Sequence, residues 1–192
     1  NLQLVMGPLP GPDRRVPLDV KVVEEKRVGK LLRRKITYQT EASTRVGAYL
    51  FLPAAEARKL PAVLVLQQTT RSGKDEPAGL KGRPAMHIAL HLAERGYVTL
   101  APDYPSFGEY KYDFPPKDGY VSGSMKAVWD NVRALDYLQT LAEVDPERGG
   151  HLPLHGLPEA QRLALSRGRP RRGGALLPQG RQAYSLHQDH RG

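Results

Sequence analysis

The chain has 192 residues, enough for a single domain of ordinary size, and its formal net charge is +9 at pH 7. With 40% hydrophobic residues it is not a disordered linker, and no apolar run approaches the roughly 18 residues of a membrane span. Cysteine is absent, which excludes disulfides, thiolate metal sites and a cysteine nucleophile but leaves the compartment open.

The composition changes abruptly near residue 149. Residues 1–148 hold 22 basic and 18 acidic side chains, whereas residues 149–192 hold seven basic ones, all arginine, and two acidic ones. The second part also has no valine, isoleucine or lysine, although the first has 14 valines and ten lysines. We therefore divide the chain into an extended Pro- and Gly-rich lead-in over 1–19, a folded domain over 20–148 and an irregular basic tail over 149–192.

Alternating apolar residues predict that the folded region opens with antiparallel strands. Strands are predicted over 20–28, 33–40 and 45–52, with a turn at 42–43. In the third of these, apolar residues occupy every second position, which is typical of a strand with one buried face.

Two later segments have the unbroken apolar character of strands buried on both faces, at residues 62–66 and 97–101. A helix is predicted between them over 84–95, and a longer helix over 124–141 with Ser122 or Ser124 as its N-cap. Strands and helices in this order predict parallel pairing with right-handed crossovers.

A third parallel strand is expected next, but the sequence does not favour one. Residues 149–156 contain glycines and a proline and no β-branched residue, which makes them a poor central strand. We therefore expect the buried strands to lack a partner on one side, and the protein to melt with low cooperativity.

Four stretches within about residues 33–148 stand in a characteristic order: LPAVLVL at 60–66, LAERGYV at 92–98, APDY at 101–104 and WDNVRALDYL at 129–138. In this order they resemble the α/β-hydrolase superfamily, in its dienelactone hydrolase, acetyl xylan esterase and prolyl oligopeptidase-like branch. The resemblance implies a truncated α/β-hydrolase sheet, with antiparallel strands first and then parallel strands with crossover helices. It also implies a hydrolase of small-molecule ester or peptide substrates.

The resemblance further implies a serine nucleophile in a Gly-x-Ser-x-Gly turn after the third parallel strand, with an acid and a histidine later in the chain. That motif is missing from its place, so we expect the chain as written to be inactive. One backbone donor of the oxyanion hole is implied in the loop over 67–70, and Gln68 is our candidate for it. Relatives often carry histidine where Gln67 stands.

Ser166 is a weak alternative nucleophile. The stretch Ala164–Gly168 matches the motif except at its first residue, but no predicted strand precedes it. His187 and His190 follow within about 20–25 residues, too few for the elements that separate nucleophile and histidine in this fold. We interpret Ser166 as a tail residue.

The composition of the tail is what a GC-rich gene gives when it is read out of frame. Shifted by one base, codons for residues 151–157 permit Ile-Ser-His-Ser-Met-Gly-Ser, whose centre is a nucleophile turn of the expected kind. We hypothesise that a single-base insertion or deletion near codons 148–150 replaced the catalytic half of an esterase-like enzyme.

Nucleic-acid binding is the alternative from another functional class. Five arginines of the tail would contact phosphates as a flexible arm. They are Arg167, Arg169, Arg171, Arg172 and Arg181. The tail has no lysine and one aromatic residue, Tyr184, so a platform for base stacking is not expected.

Other polar candidates receive structural interpretations. His87 and His91 lie four residues apart on a predicted helix, but no third ligand accompanies them, so we expect no metal site. No Gly-rich phosphate-binding loop follows a predicted strand, so we expect no cofactor. Asp103 follows a buried strand, and we expect it to cap a turn. The loop over 103–123 carries six aromatic residues, which either line a substrate pocket or pack over the sheet.

Overall fold

The computed structural model describes residues 2–54 and 59–152, and its central element is a six-stranded mixed sheet. The strands are β1 (Lys21–Val28), β2 (Leu31–Glu41), β3 (Thr44–Pro53), β4 (Leu60–Val65), β5 (Val98–Pro102) and β6 (Val144–Leu152). Their order across the sheet is β1-β2-β3-β5-β4-β6. Neighbours from β1 to β5 pair antiparallel, whereas β4 pairs parallel with both β5 and β6. The predicted change from antiparallel to parallel strands is confirmed.

The described helices are α1 (Leu2–Met6), α2 (Ile88–Glu94) and α3 (Gly123–Thr140), with short 3-10 turns at Pro12–Arg14, Gly73–Asp75, Pro84–Met86 and Pro116–Asp118. Helices α2 and α3 cover opposite faces of the sheet. Because side chains alternate along a strand, β4 supplies Ala62 and Leu64 to the core under α3, and Val63 and Val65 to the core under α2. This burial on both faces explains the unbroken apolar sequence of β4.

Among the residues of these two ranges, no helix combines the length and the apolar character that crossing a bilayer requires.

Element boundaries differ from the predicted ones where proline or a cap decides them. The predicted helix over 84–95 becomes a 3-10 turn followed by α2, because His87 has ψ 50° and leaves the helical conformation. Helix α3 is capped as predicted by Ser122, whose Oγ accepts a hydrogen bond from the Met125 N–H at 3.2 Å. The lead-in, expected to be extended, contains α1 and a 3-10 turn.

The expectation that no third parallel strand follows is wrong. β6 pairs with β4 at Leu60↔Val144 and again from Ala62↔Gly149 onward, with an irregularity over 145–148. The pairing uses backbone N–H and C=O groups, which glycine provides as well as any residue, so position beside a central strand overrides weak β-propensity. β4 therefore has a partner on both sides, and the paired chain extends beyond residue 148.

Candidate functional site

The carboxyl ends of β4, β5 and β6 meet along one edge of the sheet, which we call the carboxyl edge. Ligands of open α/β sheets bind outside this edge. Two connections described by the structure lie there: the β4 loop (residues 66–83), which leads to α2, and the β5 loop (residues 103–122), which leads to α3. These two loops make up the candidate site.

Asp103, the first residue of the β5 loop, joins the two loops. The residue is 1% exposed. Its Oδ1 accepts the backbone N–H of Lys74 at 2.8 Å, and its Oδ2 accepts the Lys74 Nζ at 2.7 Å and the backbone N–H of Glu109 at 3.2 Å. The Asp103 N–H donates to the Gly47 carbonyl at 2.9 Å, which ties the carboxylate to β3. Asp103 thus caps a turn, as predicted, and does so for both loops.

Two glycines allow the loops to approach this carboxylate. Gly73 has φ +56° and Gly108 has φ +59°, both in the left-handed region that favours glycine. A Cβ at either position would collide with Asp103 Oδ1. The close packing of the two loops therefore depends on the absence of a side chain at both sites.

Lys74 places a fully buried positive charge between two carboxylates. Besides Asp103, its Nζ contacts Glu109 Oε2 at 2.9 Å and lies 5.6 Å from the centre of the Tyr49 ring. Burial alone would lower the pKa of the Lys74 ammonium, but its hydrogen bonds to the two carboxylates outweigh burial and raise that pKa. The lysine therefore stays charged at neutral pH and holds both loops.

Glu109 is the exposed member of this cluster, with a side chain that is 58% exposed. It accepts hydrogen bonds from Lys35 Nζ at 2.7 Å and from Lys74. These two ammonium groups, Lys35 first, lower the pKa of the Glu109 carboxyl to about 2.

Gln67 and Gln68 lie where β4 leaves the sheet, and they differ sharply in environment. Gln67 is 4% exposed, and neither atom of its amide has a hydrogen-bond partner among the described residues. Gln68 is exposed, and its backbone N–H makes no backbone hydrogen bond within 2–54 or 59–152. The Gln68 carbonyl accepts the Thr70 N–H at 2.7 Å, which closes a tight turn over residues 68–70.

A second buried ionic cluster lies on the α3 face of the carboxyl edge. Lys126 Nζ contacts Asp130 Oδ1 at 2.5 Å and Glu41 Oε2 at 3.0 Å, and all three residues are 5% exposed or less. Buried charges persist where they are paired and hydrogen-bonded. This cluster links the start of α3 to the end of β2.

Tyrosines of the β5 loop complete this second cluster. Tyr110 donates to Asp130 Oδ2 at 3.1 Å, and Tyr120 donates to Glu41 Oε1 at 2.8 Å. Burial, followed by the charge of Asp130, raises the pKa of Tyr110, so the phenol stays protonated and donates. Of the two interpretations of the aromatic loop, packing over the sheet and α3 accounts for these tyrosines.

The other sequence-predicted residues fall in different places. His87 and His91 have ring centroids 6.2 Å apart, and His87 Nε2 lies 3.1 Å from the Lys81 carbonyl. Within the two described ranges, no three His, Cys, Asp or Glu side chains cluster as metal ligands. Ser166, His187, His190 and the five arginines proposed to contact phosphates lie outside the described residues.

Lys74, Lys126 and Asp130 are members of buried clusters that the sequence did not predict. Lys126 and Asp130 have the i, i+4 spacing of a surface ion pair, and nothing local distinguishes them from one. The available signal was the high tyrosine content of the β5 loop, whose hydroxyls need acceptors when buried.

Comparison with known proteins gives a shared fold. No family model and no curated protein matches the sequence. A structure from Bacteroides fragilis NCTC 9343, assigned as an acetyl xylan esterase, matches with a TM-score of 0.62 at 17% identity, over 74% of this chain and 42% of that protein. The acetyl xylan esterase of Paenibacillus sp. R4 matches with a TM-score of 0.53 at 20% identity, over 71% of this chain and 46% of that protein.

The glucuronoyl esterase of Solibacter usitatus matches with a TM-score of 0.52 at 19% identity, over 74% of this chain and 47% of that protein. The chain therefore spans less than half the length of these solved structures and shares part of their fold.

Replacing Gln67 by Met tests whether its amide lacks a partner. An unpaired buried donor or acceptor costs about 1–3 kcal/mol, so Gln67→Met is expected to raise the free energy of unfolding by about 1–2 kcal/mol in urea denaturation. The control, Gln39→Met, removes an amide that donates to the Ala42 carbonyl at 3.0 Å. This control is expected to lower the free energy of unfolding slightly. A loss of stability in Gln67→Met would mean that the amide is hydrogen-bonded.

The low pKa of Glu109 predicts a pH-dependent contribution to stability. Because this pKa is lower in the folded state than its ordinary value of 4.5, the contribution is present above pH 4.5 and is lost as the pH falls toward 2. Since the side chain is largely exposed, solvent screening limits it to about 1 kcal/mol or less. Glu109→Gln is expected to destabilise the protein at pH 7 and much less at pH 2 in urea denaturation. An equal effect at both pH values would contradict an ionic role.

Proposed function

We propose, from the α/β-hydrolase fold of the described residues, that the chain is the N-terminal half of a serine hydrolase that acts on ester bonds. The observation that carries the proposal is the Gln67–Thr70 segment at the carboxyl end of β4. This segment begins two residues after Val65, which pairs with Leu152 of β6. Gln68 is an exposed residue, and its backbone N–H has no backbone partner among the described residues.

The position of this N–H supports a role as an oxyanion donor. In hydrolases of this fold, a backbone N–H after the first buried parallel strand faces the carbonyl oxygen under attack by the nucleophile. Such a donor acts best when it is fixed in advance and withdrawn from competing hydrogen bonds. The turn closed by the Thr70 N–H fixes the adjoining peptide, and the Gln68 N–H has no competing backbone acceptor among the described residues.

In this proposal the described residues supply one part of the mechanism. A serine after β6 would attack the ester carbonyl, a histidine would take the serine proton and pass it to the leaving alcohol, and an acid would orient the histidine. As negative charge develops on the carbonyl oxygen, the Gln68 N–H would donate a hydrogen bond to it. The chain as written is proposed to lack the serine turn and to be inactive.

The substrate class is proposed from the neighbours in fold. The matched proteins are named as acetyl xylan and glucuronoyl esterases, which favours an ester of a small molecule over a peptide. The proposal includes the division of the chain into a domain over 20–148 and a tail over 149–192. In this proposal a frame shift near codons 148–150 replaced the original sequence of the tail.

Activity with and without a restored reading frame tests the proposal. The 192-residue chain is expected to neither hydrolyse p-nitrophenyl acetate nor take up a fluorophosphonate label. DNA sequencing across codons 148–150 would identify the shifted base, and the protein made from the restored frame is expected to do both. In that protein Gln68→Pro removes the N–H, and kcat is expected to fall about 10²–10³-fold.

The control, Gln39→Met, removes a side-chain amide far from the proposed site along the chain and is expected to retain full activity. Labelling of the 192-residue chain at Ser166 would contradict the assignment, as would an unbroken frame in relatives that carry the same tail.

A further inference from the structure

We infer that Lys74 is a positioning residue that fixes the turn over residues 68–70, and with it the backbone N–H groups at the carboxyl end of β4. The inference rests on the proposed function, because the N–H that Lys74 would hold in place is the proposed oxyanion donor. Lys74 itself would touch neither substrate nor the reacting atoms.

Lys74 is anchored to the sheet at two points. Its side chain is fully buried, and both its ammonium and its backbone N–H bind the carboxylate of Asp103, at 2.7 and 2.8 Å. Asp103 follows β5 directly and is tied to β3 through the Gly47 carbonyl. Lys74 is therefore fixed to the sheet at both its backbone and its side-chain end.

Two backbone hydrogen bonds lead from Gly73, the chain neighbour of Lys74, back to Gln68. The Gly73 N–H donates to the Thr70 carbonyl at 3.1 Å, and the Thr70 N–H donates to the Gln68 carbonyl at 2.7 Å. The Thr70 hydroxyl also donates to Glu76 Oε2 at 3.3 Å. The two backbone bonds span three and two residues, and Gly73 is the direct chain neighbour of Lys74, so displacement of Lys74 reaches the turn.

Beyond the Thr70–Glu76 bond, the side chains of the turn have few ties to the rest of the described residues. Gln68 is exposed, and its side chain makes one weak contact, 3.9 Å from Nε2 to Met86 Sδ. The Gln67 amide has no hydrogen-bond partner among the described residues. A short hydrogen-bonded route from the turn to the sheet runs through Gly73, Lys74 and Asp103.

The two faces of the carboxyl edge provide independent reporters. Trp129, the single tryptophan of the chain, donates its indole N–H to the Thr40 carbonyl at 3.1 Å within the cluster of Lys126 on the α3 face. Its indole resonance reports on that cluster and on global folding. The backbone amides of Gln68 and Thr69 report on the turn.

The test is backbone ¹⁵N relaxation on the 192-residue chain and its Lys74→Met variant. In the unsubstituted chain, order parameters for Gln68 and Thr69 are expected near 0.85, the value of rigid backbone, and in Lys74→Met below about 0.6. The Trp129 indole resonance is expected to stay in place. The matched control, Lys126→Met, removes the buried lysine of the other face and is expected to move the indole resonance and leave the turn rigid.

Order parameters of Gln68 and Thr69 that stay near 0.85 in a folded Lys74→Met variant would overturn the inference. An equal loosening of the turn in Lys126→Met would also overturn it. Lys74→Met leaves Asp103 buried and unpaired, which can unfold the protein. In that case two other variants provide the test. The double variant Lys74→Met/Asp103→Leu removes both charges and is expected to loosen the turn, and a rigid turn in the folded double variant refutes the role of Lys74. The milder Glu109→Gln is expected to loosen the turn less.

This measurement involves no hydrolysis. A rigid turn in the variants would remove the positioning role and leave the proposed function standing. An inactive protein from the restored frame would remove the proposed function and leave the relaxation result unaffected.

Discussion

The arrangement of the carboxyl edge depends on one buried carboxylate, that of Asp103. A carboxylate withdrawn from water is stable only when its oxygens are hydrogen-bonded and its charge is balanced. Here the loop after β4 supplies an ammonium and an N–H, and the loop after β5 supplies another N–H. Satisfying Asp103 therefore brings together two loops that leave the sheet from different strands. Gly73 and Gly108 make that approach sterically possible.

The same requirement applies on the opposite face, where Lys126 is balanced by Asp130 and Glu41. Neighbouring residues of the β5 loop serve the two clusters: Glu109 contacts Lys74, and Tyr110 donates to Asp130. The β5 loop is thus fastened on both faces of the sheet. A loop fixed in this way, beside the carboxyl ends of parallel strands, is the kind of support that a preorganised site needs.

Patterns that repeat along the sequence predicted the fold well. The alternation in β3, the unbroken apolar run of β4 and the cap at Ser122 each reflect local chemistry, so the sequence was sufficient for them. β6 was missed because its pairing depends on its place beside β4 and not on its own side chains. Lys74 and Asp103 are 29 residues apart, and only the folded sheet brings them together. Gln68 came from a family resemblance and remains a prediction.

The central claim is that Asp103 organises both loops at the carboxyl edge, and amide hydrogen exchange tests it most directly. The backbone N–H groups of Lys74 and Glu109 lie in loops, where exchange is ordinarily fast. If both donate to Asp103, they are expected to exchange as slowly as the amides of β4 and to lose that protection together in Asp103→Ala. Fast exchange at both positions, with β4 still protected, would contradict the account.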